Sequence, residues 1–197
     1  MITIVQKEDP VLRGVAQEVG AKEFGTPGLK KILKDMADAM EKEEDGVAIA
    51  APQIGVPLRI FVVSHRAFEF MDREENEHDE EEGTHNGGHP KIERSNMVFI
   101  NPVITKLSRK KIWMPEGCLS VRWLYGEVAR SEKATVRAQD ENGKVFTYGG
   151  SGLMAQIFQH ETDHLNGALF IDTARNIETM TKEDQERMRR GDEGYHD

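Results

Sequence analysis

Residues 151–167 read SGLMAQIFQHETDHLNG, an apolar run that turns into a cluster of histidines and carboxylates. Ser151 is a candidate N-cap and Asn166-Gly167 a C-terminal stop, so the pattern predicts a helix between them. Leu153 and Ile157 mark an apolar face. His160 and His164 stand one turn apart on that helix, about 40° apart around its axis, so both imidazoles can reach one ion. Glu161 lies about 100° from His160 and can reach a water on the ion without binding the ion, as a general base must. The competing reading is a solvated helix face with two incidental histidines. Against it, histidines on a partly buried face need polar partners, and a metal supplies one to each ring.

Two histidines do not complete a catalytic site, which needs a third protein ligand and an open position. Downstream, Asp172, Glu178 and Glu183 form no familiar pattern. Upstream, Glu116-Gly117-Cys118-Leu119-Ser120 offers a sulfur beside a glycine, where backbone can turn closely around an ion. Thiolate suits a soft or borderline cation. Cys118 is the only cysteine, so no internal disulfide is available, which fits a reducing compartment. A lone cysteine also reads as a small buried apolar side chain.

Working outward, Leu58–Ser64 is rich in β-branched residues and predicts a buried strand. Met97–Asn101 predicts another. Ala134–Ala138 and Val145–Tyr148 flank a turn at Asp140–Gly143 and predict a hairpin. Ile2–Val5 and Ala168–Ile171 are expected as short strands. Asp9-Pro10 opens a short helix containing Val11, Leu12 and Val15. Thr26-Pro27 opens a longer one, with Leu29, Ile32, Leu33, Met36 and Met40 on one face and Asp45-Gly46 at its end. A polar helical stretch is expected near Lys182 to Arg190, within a polar C-terminal extension from about residue 175.

The segment from Met71 to Arg94 is nearly devoid of apolar residues and cannot bury enough surface to offset its ordering entropy. A mobile acidic loop is expected there, and His78, His85 and His89 are read as incidental to it. The whole chain has 197 residues, enough for one catalytic domain, and a formal charge of −9. That charge disfavours binding to phosphate backbones, so no direct nucleic-acid contact is expected. No apolar run is long enough to span a membrane, and the start carries no basic leader. A cytoplasmic protein is expected.

Three motifs occur in order: Gly46-Val47-Ala48-Ile49-Ala50-Ala51-Pro52-Gln53, Glu116-Gly117-Cys118-Leu119-Ser120, and Gln159-His160-Glu161-Thr162-Asp163-His164. Together they strongly resemble the peptide deformylase family. Asp9–Arg13, Leu165–Gly167 and Leu169–Asp172 extend the likeness over nearly the whole chain. The resemblance implies an α+β fold of small, mainly antiparallel sheets around the helix carrying His-Glu-x-x-His. It implies removal of the formyl group from the N-terminal methionine of new polypeptides, with N-formylmethionyl nascent peptides as partners and the ribosome near its exit tunnel as another. Cys118, His160 and His164 would hold one divalent ion, Fe²⁺ in many members, with Zn²⁺, Ni²⁺ or Co²⁺ able to occupy the same ligands. Glu161 would be the base. Gln53, through its side chain, and Leu119, through its N–H, would stabilise the oxyanion. Asp163 and Arg130, in Val128-Ala129-Arg130, would form a supporting pair.

Leu153, Ile157 and Ile49 are expected as walls of a methionine pocket, with Gln156 and Tyr125 adding polarity. The family's usual glycine is Ala48 here, which requires negative φ and room for a methyl group. Two rivals stay open: a metallopeptidase cutting internal peptide bonds on the same helical motif, and a non-catalytic ribosome-associated binding module on this fold.

Overall fold

Alternation in the second strand sets up the interior of the molecule. The computed structural model describes residues 2–71 and 95–181. Strand β2 (Ile60–Val63) is buried on both faces. Ile60 and Val62 join a cluster with Leu29, Met36, Met40 and Ile49, whereas Phe61 and Val63 join one with Ile157, Phe158 and Leu165. Side chains two apart share a face, so one strand feeds two cores. Helix α1 (Pro27–Glu41) covers the first face and is capped by Thr26, whose hydroxyl accepts the Leu29 N–H.

Strand β1 (Ala48–Ala50) pairs with β2; a helix, α2, covers residues 65–71; and β3 (Met97–Leu107) pairs with β2 on its other side. Next come β4 (Lys111–Glu116), β5 (Leu124–Ser131), β6 (Lys133–Gln139), β7 (Val145–Ser151), helix α3 (Gly152–Leu165) and β8 (Arg175–Thr179). The strands form a five-stranded sheet, β1-β2-β3-β6-β7, and a three-stranded one, β4-β5-β8. Every pairing of these strands is antiparallel. The architecture is α+β, as the resemblance implied.

Helix α3 packs against the larger sheet through Met154, Ala155, Ile157, Phe158 and Leu165. Phe61 and Phe99 stack with ring centroids 4.5 Å apart, and Phe158 meets Phe99 at 5.3 Å. Gln159 ties the helix to the end of β5, because its amide exchanges hydrogen bonds of 2.9 and 3.0 Å with the Ser131 backbone. At the other end Asn166 caps the helix and Gly167 turns with φ 79°. A β-carbon at Gly167 would lie 2.6 Å from the Arg13 carbonyl oxygen.

Several expectations need correction. Ile2–Val5 is not a strand; the Val5 N–H reaches only the Gln53 carbonyl, and one bond makes no ladder. Helix α1 ends at Glu41, before Asp45-Gly46, and Val15 is 71% exposed beyond the short 3₁₀ turn Pro10–Arg13. Residues 170–172 form a 3₁₀ turn, where Asp172 accepts the Leu169 N–H and competes with strand pairing. Met71 lies at the end of α2, packed against the α3 core. Arg175–Thr179 is a strand on β5, so the three-stranded sheet extends into the expected polar extension. The rest of the acidic segment with His78, His85 and His89, Glu183, and the stretch near Lys182 to Arg190 lie outside the described residues.

Candidate active site

The three expected ligands come from two places in the chain. His160 and His164 lie on α3, and Cys118 follows β4 in the connection to β5. Their donor atoms lie within 4.8 Å of one another, with Cys118 Sγ 3.2 Å from His164 Nε2. The Ser120 N–H points at the sulfur from 3.4 Å, and the Val121 N–H closes the turn onto the Cys118 carbonyl. Gly117 is required by close approach: a β-carbon there would sit 2.6 Å from the Tyr125 ring.

A buried polar network holds the first histidine. Glu116, the last residue of β4, accepts from His160 Nδ1 at 3.0 Å and so directs the other ring nitrogen inward. Arg130 on β5 forks onto the same carboxylate, at 2.6 Å from Nε and 3.0 Å from Nη2. Its remaining nitrogen, Nη1, donates to Asp163 at 2.6 Å. The expected Arg130–Asp163 pair is therefore formed, as part of a larger network. The side chains of Glu116 and Arg130 are 2% and 8% exposed, so each needs the other in place of water. Burial pushes the Glu116 carboxyl up, but hydrogen bonds from His160 and Arg130 outweigh it and hold the group at about 2. Sequence reading missed Glu116, because nothing in the motif separates a buried acid from a solvated one.

Glu161 has the opposite environment. It is 4% exposed, its Oε2 has no hydrogen-bond partner among the described residues, and burial pushes its carboxyl up to about 7. His164 is equally buried; desolvation, then the neighbouring His160, drives its pKa well down. Its Nδ1 also lacks a partner among the described residues. A neutral imidazole is the form that binds a cation. His160 is raised well above its usual value: burial opposes protonation, but Cys118 and Glu116 accept from the ring and prevail. A sulfur and two ring nitrogens brought this close are the mixed donors a divalent cation takes. The donor set therefore fits a divalent metal.

Gln53 is 1% exposed at the end of the motif after β1. Its oxygen accepts the Ala50 N–H at 2.8 Å, which turns the amide nitrogen toward Ser120 Oγ at 3.2 Å and Cys118 Sγ at 3.6 Å. Leu119, 7% exposed, adjoins the sulfur, and its carbonyl accepts from Gln6 Nε2. Ala48 is absent from the residues with positive φ, and its methyl is buried in the α3 core, so the substitution is accommodated.

The expected wall residues divide. Ile157 and Leu153 lie in or against the α3 core, and Leu153 keeps partial exposure. Ile49 is fully buried in the α1 cluster on the other face, so it cannot line a pocket beside the histidines. Val47, overlooked in the sequence, packs partly exposed against the α3 core. Gln156 donates to the Pro115 carbonyl, and half-buried Tyr125 lies over Gly117.

Comparisons with known proteins concern the chain and its fold. The sequence profile of the polypeptide deformylase family matches residues 1–180. Peptide deformylase 1A, chloroplastic/mitochondrial, from Arabidopsis thaliana is 39% identical over 176 residues, covering 86% of this chain but only 60% of that protein. A peptide deformylase from Erythrobacter litoralis is 38% identical over 173 residues, covering 86% of this chain and 87% of its own. A class I type b peptide deformylase from Acinetobacter baumannii, solved with Met-Ala-Ser bound, superposes with a TM-score of 0.70 at 28% identity. That superposition covers 88% of this chain and 98% of the other.

Proposed function

The chain belongs to the polypeptide deformylase family, and from that premise we propose that it removes the N-formyl group from the N-terminal methionine of new polypeptides, releasing formate. The carrying observation is the meeting of Cys118 with His160 and His164, distant in sequence, beside Glu161, whose Oε2 has no hydrogen-bond partner among the described residues. Cys118, His160 and His164 would hold one divalent ion, with Fe²⁺ as the proposed resident; Zn²⁺, Ni²⁺ and Co²⁺ suit the same mixed sulfur–nitrogen set. Such an ion supplies Lewis acidity, polarising the formyl oxygen and making the attacking water more acidic.

The chain's own residues do the rest. Glu161 takes a proton from the attacking water as its oxygen bonds to the formyl carbon, then returns the proton to the departing amine nitrogen as the C–N bond breaks. A carboxyl held at about 7 suits both steps, since its proton affinity lies near neutrality. The Gln53 amide and the Leu119 N–H are the proposed donors to the developing oxyanion. Support for Gln53 comes from its fixed orientation, with the oxygen occupied by Ala50 and the nitrogen turned to Cys118. Val47, Leu153 and Ile157 are the proposed apolar wall for the methionine side chain.

The activity is assigned to a single catalytic domain acting on N-formylmethionyl nascent chains, in the cytoplasm and close to the ribosome that releases them. No helix among the described residues is long and apolar enough to cross a membrane. The test is anaerobic purification with elemental analysis, followed by formate release from formyl-Met-Ala-Ser. We expect turnover of the formyl peptide and none of acetyl-Met-Ala-Ser. Preference for acetylated or internal amides would make the protein a peptidase, and metal retention without formate release would make it a binding module.

A further inference from the structure

The segments carrying Gln53 and Cys118 are tied together at two points. One tie is direct, through the Gln53 amide to Ser120 and Cys118. The other lies at the turn between α1 and β1, just before Gly46. Arg122, four positions after Cys118, donates from Nη1 to Asp45 Oδ2 at 2.7 Å and from Nη2 to Asp45 Oδ1 at 3.2 Å and Glu43 Oε2 at 2.5 Å. From the opposite side Arg66 holds the same turn, donating to the Glu43 carbonyl at 2.7 Å and to the Glu41 carboxylate at 2.6 Å. Gly46 presses on α1 so closely that a β-carbon would lie 2.5 Å from the Met40 carbonyl oxygen.

The bridge is a bidentate fork with a second carboxylate on the same guanidinium, an arrangement that holds its partners in one geometry, with the Arg122, Glu43 and Asp45 side chains 19%, 37% and 33% exposed. The neighbouring backbone is unfavourable, since Trp123 holds φ at 66°, a region that bulky residues avoid. Strain of this kind concentrates where a function needs one geometry. Here the strained residue carries a ring 5.5 Å from the Arg122 guanidinium, and its carbonyl accepts the Met180 N–H at 2.8 Å. Two residues further on, Tyr125 lies over Gly117, beside Cys118.

We propose that Arg122 is a positioning and specificity-determining residue, which sets the spacing between the 43–46 turn and the Cys118 loop where the peptide beyond its methionine passes, and which neutralises Glu43 and Asp45 there. The proposal rests on the deformylase reading. Without Arg122, two bare carboxylates border the peptide's path and repel acidic residues after the methionine.

The test uses metal-loaded enzyme with formyl-Met-Ala-Ser, formyl-Met-Lys-Ser and formyl-Met-Asp-Ser. Formate release by the unaltered enzyme checks the underlying reading separately, so its failure is distinct from that of the bridge. In Arg122→Met, kcat stays within about twofold while KM rises about fivefold for the lysine peptide and more than about tenfold for the aspartate peptide. Arg122→Lys falls between. Adding Glu43→Gln and Asp45→Asn to Arg122→Met keeps the rise but removes the difference between peptides. Should the triple variant fail to fold, salt supplies the same test: in Arg122→Met, high salt screens Glu43 and Asp45, so KM for the aspartate peptide falls toward that for the lysine peptide. An unchanged KM overturns the proposal. So does an equal rise for both charged peptides with a lower melting temperature, or a fall in kcat together with metal content.

Discussion

Helix α3 has two sides built on opposite principles, one fully buried and one that keeps partial exposure at His160 and Asp163. Toward the larger sheet, Met154, Ala155 and Phe158 are at most 2% exposed and pack in an apolar cluster. Toward β4 and β5, His160 and Asp163 are held by Glu116 and Arg130 at 3.0 and 2.6 Å. The apolar side depends on volume and shape, which several residue types can satisfy. The polar side depends on individual atoms. Among the described residues, α3 leaves three buried side-chain atoms without a hydrogen-bond partner, Glu161 Oε2, Thr162 Oγ1 and His164 Nδ1, and two of the three belong to ionisable groups of the candidate site.

The sharpest way to break this contrast is Glu161→Gln. Loss of a positioned general base lowers kcat by about 10²–10⁴, read as formate release at constant metal content. The same change has the opposite effect on stability. Because burial raises the Glu161 carboxyl from 4.5 to about 7, the folded protein binds the extra proton between those values. Stability contributed by the protonated form is thus present below about 4.5 and lost as pH climbs toward about 7. Metal-free Glu161→Gln should therefore outlast the unaltered protein in urea at pH 8, by roughly 1–3 kcal/mol, and lose that advantage near pH 4. Full turnover in the variant would remove Glu161 from the role of base.

Next in size is Phe158→Ala on the apolar side. Removing a buried ring in contact with Phe61, Phe99 and Tyr148 costs about 3–5 kcal/mol of folding stability, measured by urea denaturation. Metal affinity of the folded fraction stays unchanged. A large fall in that affinity would mean that the two sides are coupled.

The smallest effect is expected for Glu116→Gln, which keeps an acceptor for His160 but removes the charge facing Arg130. Metal affinity should fall about 10–100-fold in chelator competition, as for other partners of ligating histidines. If affinity holds while thermal stability drops, the network serves the fold alone.

Much of this was legible beforehand, for reasons particular to each element. The period of Leu29, Met36 and Met40 and the cap at Thr26 placed α1, because helical spacing and capping are local. The β6–β7 hairpin was equally clear, with Asp140 accepting from Asn142 and Lys144 across the turn. Ile2–Val5 and Ala168–Ile171 misled because strand composition does not supply a partner strand. Ile49 misled because its side of the sheet depends on register, and its neighbours Ala48 and Ala50 face α3 instead.

What the amino-acid order determined alone was the set of local chemistries: two histidines one turn apart, a carboxylate beside them, and a lone cysteine next to glycine. Those follow from helix geometry and side-chain type, which need no distant contact. The tertiary structure alone decided that Cys118 Sγ lies 3.2 Å from His164, that Glu116 rather than solvent holds His160, and that Arg122 reaches Asp45. Each of these joins residues dozens of positions apart, and pairing over such distances depends on strand register and on which charges the packed sheets remove from water.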